Sequence, residues 1–134
     1  AKCIPCEAIV YGRLPLMITE NCIAANEFGC RYFRSRCDAA QPDSACVRVP
    51  ELTDRMGERF PVLHAYDCRS EIQNAKTLWL ADKPEYRQIG LTYARLRFTT
   101  ETAEECVRVL RAYQGREAYA PKDYTRGLFY RGVE

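Results

Sequence analysis

The amino-acid sequence predicts an α/β chain. Three stretches carry that expectation: the β-branched and aromatic run Ile9-Val10-Tyr11, the alternating segment Thr92 to Phe98, and a capped amphipathic helix that begins behind Thr102. Two buried strands are few for a parallel sheet, which needs both faces covered. The chain therefore reads as a piece of a larger α/β domain, and such a piece takes on an α+β look when isolated.

Taken in order, Cys3-Ile4-Pro5-Cys6 opens the chain with a spacing used by redox pairs and by half zinc sites. Pro5 and the lack of a second such pair favour an incidental arrangement. Ile9 to Tyr11 suits a buried strand that Gly12 and Pro15 end or bend. Residues 20–46 show neither helical nor strand periodicity and read as loop, with Arg31, Arg34 and Arg36 among the cysteines. Positive charge there favours thiolates and suits a phosphate; a solvated arginine run is the plainer reading.

From Val47 to Val62 the pattern is a hairpin. Asp54-Arg55-Met56-Gly57 forms its turn, with Gly57 able to adopt the left-handed conformation, and Pro61 places the return strand at an edge. His64 and Cys68 have a spacing that metal sites use, although a lone histidine is more often an ordinary polar residue. Asp82 is expected to cap a short helix stopped by Gly90. In the strand that follows, Ala94, Leu96 and Phe98 share one face and Tyr93, Arg95 and Arg97 the other.

Thr102-Ala103-Glu104-Glu105 is a capping box. Behind it Ala103, Cys106, Val107, Leu110 and Tyr113 fall at helical spacing, which makes Cys106 a core residue. The tail, Tyr124 to Glu134, alternates arginine with aromatics and glycine; an arm packed on the rest of the protein is favoured over a surface that stacks on bases.

Composition narrows the function only a little. With 47% apolar and 28% charged residues the chain is globular, and its net charge of +2 contains no basic arm. Sixteen of the 20 basic residues are arginine, a type suited to fork-shaped recognition of phosphate or carboxylate, though a general arginine bias explains this as well. No apolar run approaches the about 18 residues of a membrane span, and no secretory leader is legible, so the expectation is a cytoplasmic protein without membrane contact. In that compartment eight cysteines are thiols or ligands; disulfides in an oxidising compartment are the alternative.

The machinery of a protease is not legible. Ser35, Ser44 and Ser70 sit in no nucleophile elbow, there is no zinc-protease motif, and no glycine-rich phosphate loop occurs. The cysteines Cys22, Cys30, Cys37, Cys46 and Cys68 are separated by seven, six, eight and 21 residues, too wide for the pairs of a zinc ribbon. Iron–sulfur clusters accept such spacings, because the loops have only to converge. A cluster or metal site and a set of structural thiols both remain open on spacing alone.

A set of motifs in order is more specific. Gly12-Arg13-Leu14-Pro15-Leu16-Met17, Asn21-Cys22, Leu52-Thr53-Asp54-Arg55-Met56-Gly57, Phe60-Pro61-Val62, Cys68, Asn74, Leu96-Arg97-Phe98-Thr99 with Glu101, and Thr125-Arg126-Gly127-Leu128-Phe129-Tyr130-Arg131-Gly132-Val133 together resemble the collagenase-like peptidases, peptidase family U thirty-two. The resemblance covers nearly the whole chain. It implies the last two β/α units of a TIM-like barrel, with Ile9 to Tyr11 and Thr92 to Phe98 as neighbouring strands and a cysteine-rich loop and β-hairpin inserted between them.

On that basis the chain is a single fragment. A barrel strand with the cysteine-rich insertion and hairpin occupies about residues 7–70, a helix-strand-helix about 82–114, and a C-terminal arm 115–134. Its partner is the remainder of its own barrel, and exposed barrel edges imply self-association.

Some members of the family are described as collagen-degrading proteases of unassigned mechanism. Others are implicated in hydroxylating RNA or a quinone precursor with a [4Fe–4S] cluster. The resemblance then implies Cys22, Cys30, Cys46 and Cys68 as cluster ligands, with Cys37 as a substitute for Cys30 or Cys46. Arg95, Arg97, Arg126 and Arg131 are candidate contacts to an RNA or peptide substrate. Three functional classes are thus in view: a cluster-dependent RNA-modifying protein, a protease, and a non-catalytic structural or binding piece.

Overall fold

The computed structural model describes residues 4–30, 47–65 and 68–130. It is a mixed α/β structure with two four-stranded sheets and few helices. The chain divides into two compact units, one built from the N-terminal residues up to Arg13 together with those from Lys76 on, the other from Leu14–Ala75. Cys3, Cys37, Cys46, Arg31, Arg34, Arg36 and Arg131 lie outside the described residues.

The first unit is organised on β1 (Glu7–Gly12). Its run of β-branched and aromatic residues crosses the middle of a sheet, where Val10 and Tyr11 are buried. Along one edge it pairs in parallel with β7 (Tyr93–Leu96), Glu7 opposite Tyr93 and Tyr11 opposite Leu96, with a bulge between Ile9 and Tyr11. The two segments expected to be neighbours are therefore neighbours. Along the other edge β6 (Thr77–Trp79) runs antiparallel to β1, and β8 (Tyr124–Thr125) pairs with β6 in parallel. The sheet is mixed, in the order β7-β1-β6-β8.

Gly12 ends β1 for a steric reason. Its φ is +120°, and a Cβ placed there would sit 2.0 Å from the carbonyl oxygen of Arg97. Only glycine permits that approach. It lets Arg97 N–H reach the Tyr11 carbonyl at 2.9 Å and the Arg97 side chain reach the Arg13 carbonyl at 2.7 Å.

One helix, α2 (Ala103–Tyr113), packs on this sheet. Its capping box forms as the sequence predicts, with Glu105 N–H donating to Thr102 Oγ1 at 3.3 Å and Thr102 N–H donating to Glu105 Oε2 at 2.8 Å. The buried stripe differs from the expected one. Val109 and Ala112 are buried, with Tyr113 packed beside them, while Val107 and Leu110 are more than two-fifths exposed. Periodicity defines a stripe only within about one residue, a rotation of about 100°; what decides it here is the aromatic cluster opposite.

That cluster is Trp79, with Tyr11, Tyr113 and Tyr119 edge-on to it at ring-centroid distances of 5.9, 5.3 and 5.8 Å. Such edge-to-face pairs each add about 0.5–1.5 kcal/mol beyond their burial. The Tyr113 hydroxyl also satisfies two backbone groups: it donates to the Val10 carbonyl and accepts from Leu80 N–H.

The short helix expected behind Asp82 is a 3₁₀ turn, Pro84–Arg87, with no side-chain cap. Asp82 does not cap it because both of its carboxylate oxygens are taken by Arg126 from the C-terminal segment. Tyr124 and Thr125 form a strand and Arg126 is anchored, so the arm packs on the rest of its unit.

The second unit is an antiparallel sheet in the order β2-β5-β4-β3, formed by β2 (Pro15–Thr19), β3 (Glu51–Thr53), β4 (Arg59–Ala65) and β5 (Arg69–Gln73). The hairpin β3–β4 is the one the sequence predicts. Asp54 Oδ1 accepts from Met56 and Glu58 N–H at 2.7 and 3.0 Å, and Gly57 has a φ of 83°.

Pro61 does not lie at an edge. β4 is central, and Val62 N–H donates to the Pro50 carbonyl on the β3 side. Strand alternation turns the Pro61 nitrogen toward β5, one position beyond Val62–Ile72, the last β4–β5 pair. A missing N–H removes no bond there. Two further expectations are corrected: the loop expected over residues 20–46 contains α1 (Ile23–Phe28), and β2 and β5 are strands that local pattern did not mark. Among the described residues, no helix is long and apolar enough to cross a membrane.

Candidate functional site

Two constellations carry chemistry, one in each unit. In the second unit, Cys22 occupies the N-cap of α1 without a side-chain capping bond. The next residue, Ile23, donates its backbone N–H to Ser70 Oγ at 2.9 Å. Ser70 is buried and stands opposite Thr19 of β2 and His64 of β4.

Cys68 immediately precedes β5. Its φ of 64° makes it the one described non-glycine residue with positive φ. Such a conformation in a cysteine is disfavoured by about 1–3 kcal/mol and is held by its surroundings. The Ile23–Ser70 bond thus brings Cys22 and Cys68, 46 positions apart in the sequence, to one end of the sheet. His64 joins that end. Its Nε2 is buried and has no hydrogen-bond partner among the described residues.

Cys22, Cys30 and Cys68 are thiols, each partly buried. Cys30 lies beyond the C-terminus of α1, at the opposite end of that helix from Cys22. Among the described residues no three His, Cys, Asp or Glu side chains are grouped to hold a metal ion. The described donors offered to a [4Fe–4S] cluster therefore amount to two thiols gathered at one sheet end and a third on the same helix-loop segment. Cys46 and its substitute Cys37 lie outside the described residues.

Of the arginines singled out by sequence, Arg95 pairs with Glu7 at 2.7 Å on the exposed β7 edge, and Arg97 bonds the Arg13 carbonyl. Arg126 forms a two-pronged pair with Asp82 at 2.6 and 2.7 Å, donates to the Trp79 carbonyl, and stacks over Tyr124 at 4.7 Å. Partial burial raises the Asp82 carboxyl pKa, but the hydrogen bonds and charge of Arg126 outweigh it and leave the group below its ordinary value. Arg126 is in this way a clamp on the C-terminal segment. Arg131 lies outside the described residues.

The constellation in the first unit escaped the sequence reading. A cleft of about 220 Å³ opens at the C-terminal ends of the parallel strands β1 and β7, lined among others by Tyr11, Arg13, Glu101, Tyr119, Lys122 and Asp123. Tyr11 hydroxyl donates to Glu101 Oε1 at 3.0 Å, and Glu101 Oε2 accepts from the backbone N–H groups of Thr99 and Thr100 at 2.6 and 3.0 Å. Three donors thus converge on this one carboxylate and fix its orientation. Burial, and then the charge of Glu101, push the Tyr11 phenol far above the ordinary tyrosine range, so it stays a proton-bearing donor.

Part of the signal that pointed here was available: Arg13, Thr100 and Glu101 follow the parallel strands β1 and β7, where α/β proteins place their sites, whereas Tyr119, Lys122 and Asp123 precede β8. It became usable only once the strands were known to be parallel neighbours. Compared with protein-family models, curated proteins and solved structures, the chain matches none.

Proposed function

We propose that this chain is the part of a collagenase-like peptidase-family protein that holds a [4Fe–4S] cluster, in an enzyme that modifies RNA by hydroxylation. Cys22 and Cys68 are the ligands on which the reading rests. The observation that carries it is the 2.9 Å bond from Ile23 N–H to Ser70 Oγ, which draws the helix start bearing Cys22 to the strand start bearing Cys68.

Cys30 and Cys46 complete the ligand set, with Cys37 able to replace either. A bound cluster would supply one-electron chemistry. The hairpin β3–β4 and the buried Ser70 serve as scaffold for the two thiols. The parallel pairing of β1 with β7 supports the companion reading that these are the last two β/α units of a TIM-like barrel, whose other strands supply the remaining catalytic groups. Self-association belongs to the same reading, since β2 is an edge strand with Leu16, Met17 and Ile18 exposed.

The test is anaerobic reconstitution of the chain with iron and sulfide. Bound iron, acid-labile sulfide and visible absorption are expected. All three should be lost in the Cys22→Ala, Cys68→Ala double variant, and their retention in that variant overturns the assignment.

A further inference from the structure

We infer that His64 donates a hydrogen bond from Nε2 to a sulfur of the cluster held by Cys22 and Cys68, and that this bond raises the reduction potential of the cluster. The inference rests on the ligand assignment proposed above. Thr19, Ser70 and His64 form a row of polar side chains, paired across β2, β5 and β4. Directly opposed residues of an antiparallel sheet point to one face, so the three share a face. The bond from Ile23 N–H to Ser70 Oγ makes it the face that meets the start of α1.

Two members of the row already hold partners. Thr19 Oγ1 accepts from Asn21 N–H at 3.2 Å, and Ser70 Oγ accepts from Ile23 N–H at 2.9 Å. Those two N–H groups bracket Cys22 in the chain. The third member does not follow suit: His64 Nε2 is buried, and among the described residues nothing bonds it, the Ser70 hydroxyl opposite included. Burial strips a ring nitrogen of its water, and native proteins rarely leave such an atom unpaired.

The chemistry of the sheet end supplies the partner. Among the described residues no three side chains are grouped around a single ion, so His64 is not a third ligand of one metal. A [4Fe–4S] cluster is larger than one ion, and its sulfurs accept hydrogen bonds. Facing acceptors, the neutral ring carries its hydrogen on Nε2. Reduction adds negative charge to the cluster, so an N–H aimed at a sulfur stabilises the reduced form more than the oxidised one and raises the potential.

His64 is the only histidine of the chain, so ¹⁵N-histidine labels this one ring. The experiment is pulsed electron paramagnetic resonance on the labelled full chain, reconstituted anaerobically with iron and sulfide and then reduced. A weak ¹⁵N coupling, of the size carried through a hydrogen bond, is expected. His64→Leu should shift the reduction equilibrium about tenfold or more toward the oxidised cluster, about 59 mV lower for a one-electron couple. His64→Gln keeps a donor N–H, and its potential should lie nearer to wild type than to His64→Leu. Wild-type chain that takes up no iron and sulfide overturns the ligand assignment and this inference together. A wild-type cluster without ¹⁵N coupling, or with the strong coupling of an iron-bound nitrogen, overturns this inference alone, as does an unchanged potential in His64→Leu.

Discussion

Arg126 and Asp82 face each other fork to fork, at 2.6 and 2.7 Å, across 44 positions of sequence. The pair joins the C-terminal segment to the end of β6, and its geometry is one that lysine cannot reproduce. Arg126→Lys should loosen residues 120–130, read as faster amide exchange there, with a loss of global stability under about 1 kcal/mol because the Asp82 side chain is half exposed.

The same pair sets a pH response. The Asp82 carboxyl has a lower pKa in the folded state than in the unfolded chain, so its contribution is present above the unfolded value and fades as the pH falls through the folded one. Acid titration of wild type against Asp82→Asn should show the stability difference shrinking below about pH 4, the ordinary carboxyl range.

Gly12→Ala should be among the most damaging single changes. An added methyl meets the Arg97 carbonyl oxygen at 2.0 Å, and φ is +120°. A loss of about 3 kcal/mol or more is expected in denaturant unfolding. Gly57→Ala, with open space around its Cβ, should lose about 1 kcal/mol from backbone strain alone.

The two faces of α2 separate by mutation. Val109→Ala empties a fully buried position and should destabilise by about 2 kcal/mol, whereas Val107→Ala and Leu110→Gln, on the exposed stripe, should each stay within about 0.5 kcal/mol. Thermal melts of the three variants check this directly.

Tyr113→Phe removes the partner of both the Val10 carbonyl and Leu80 N–H. Two buried backbone groups left unpaired should lower stability by about 2–4 kcal/mol, although the ring and its packing survive.

Cys68→Gly tests strain and ligation at once. Glycine relieves the left-handed backbone at φ 64°, so iron-free protein should gain about 0.5–1 kcal/mol. Under the proposed ligand role the same variant should hold less iron after anaerobic reconstitution. Stability and metal content therefore move in opposite directions, which a purely packing cysteine would not produce.

By itself the sequence determined the features that arise within a few residues of one another. The capping box at Thr102 and Glu105 and the turn Asp54 to Gly57 need only local backbone geometry and short-range hydrogen bonds, and each forms as the residues dictate.

Tertiary structure decided everything that depends on a distant partner. Asp82 leaves its helix because an arginine fork from the C-terminal segment binds a carboxylate more strongly than a cap does. Pro61 sits in a central strand because the neighbouring ladder stops one residue short of it. The buried stripe of α2 is selected by the aromatic rings it meets, and β2 and β5 are strands because each pairs the other. Cys22 with Cys68, and Tyr11 with Glu101, become sites only when chain segments 46 and 90 positions apart are hydrogen-bonded together, and no local pattern encodes those two contacts.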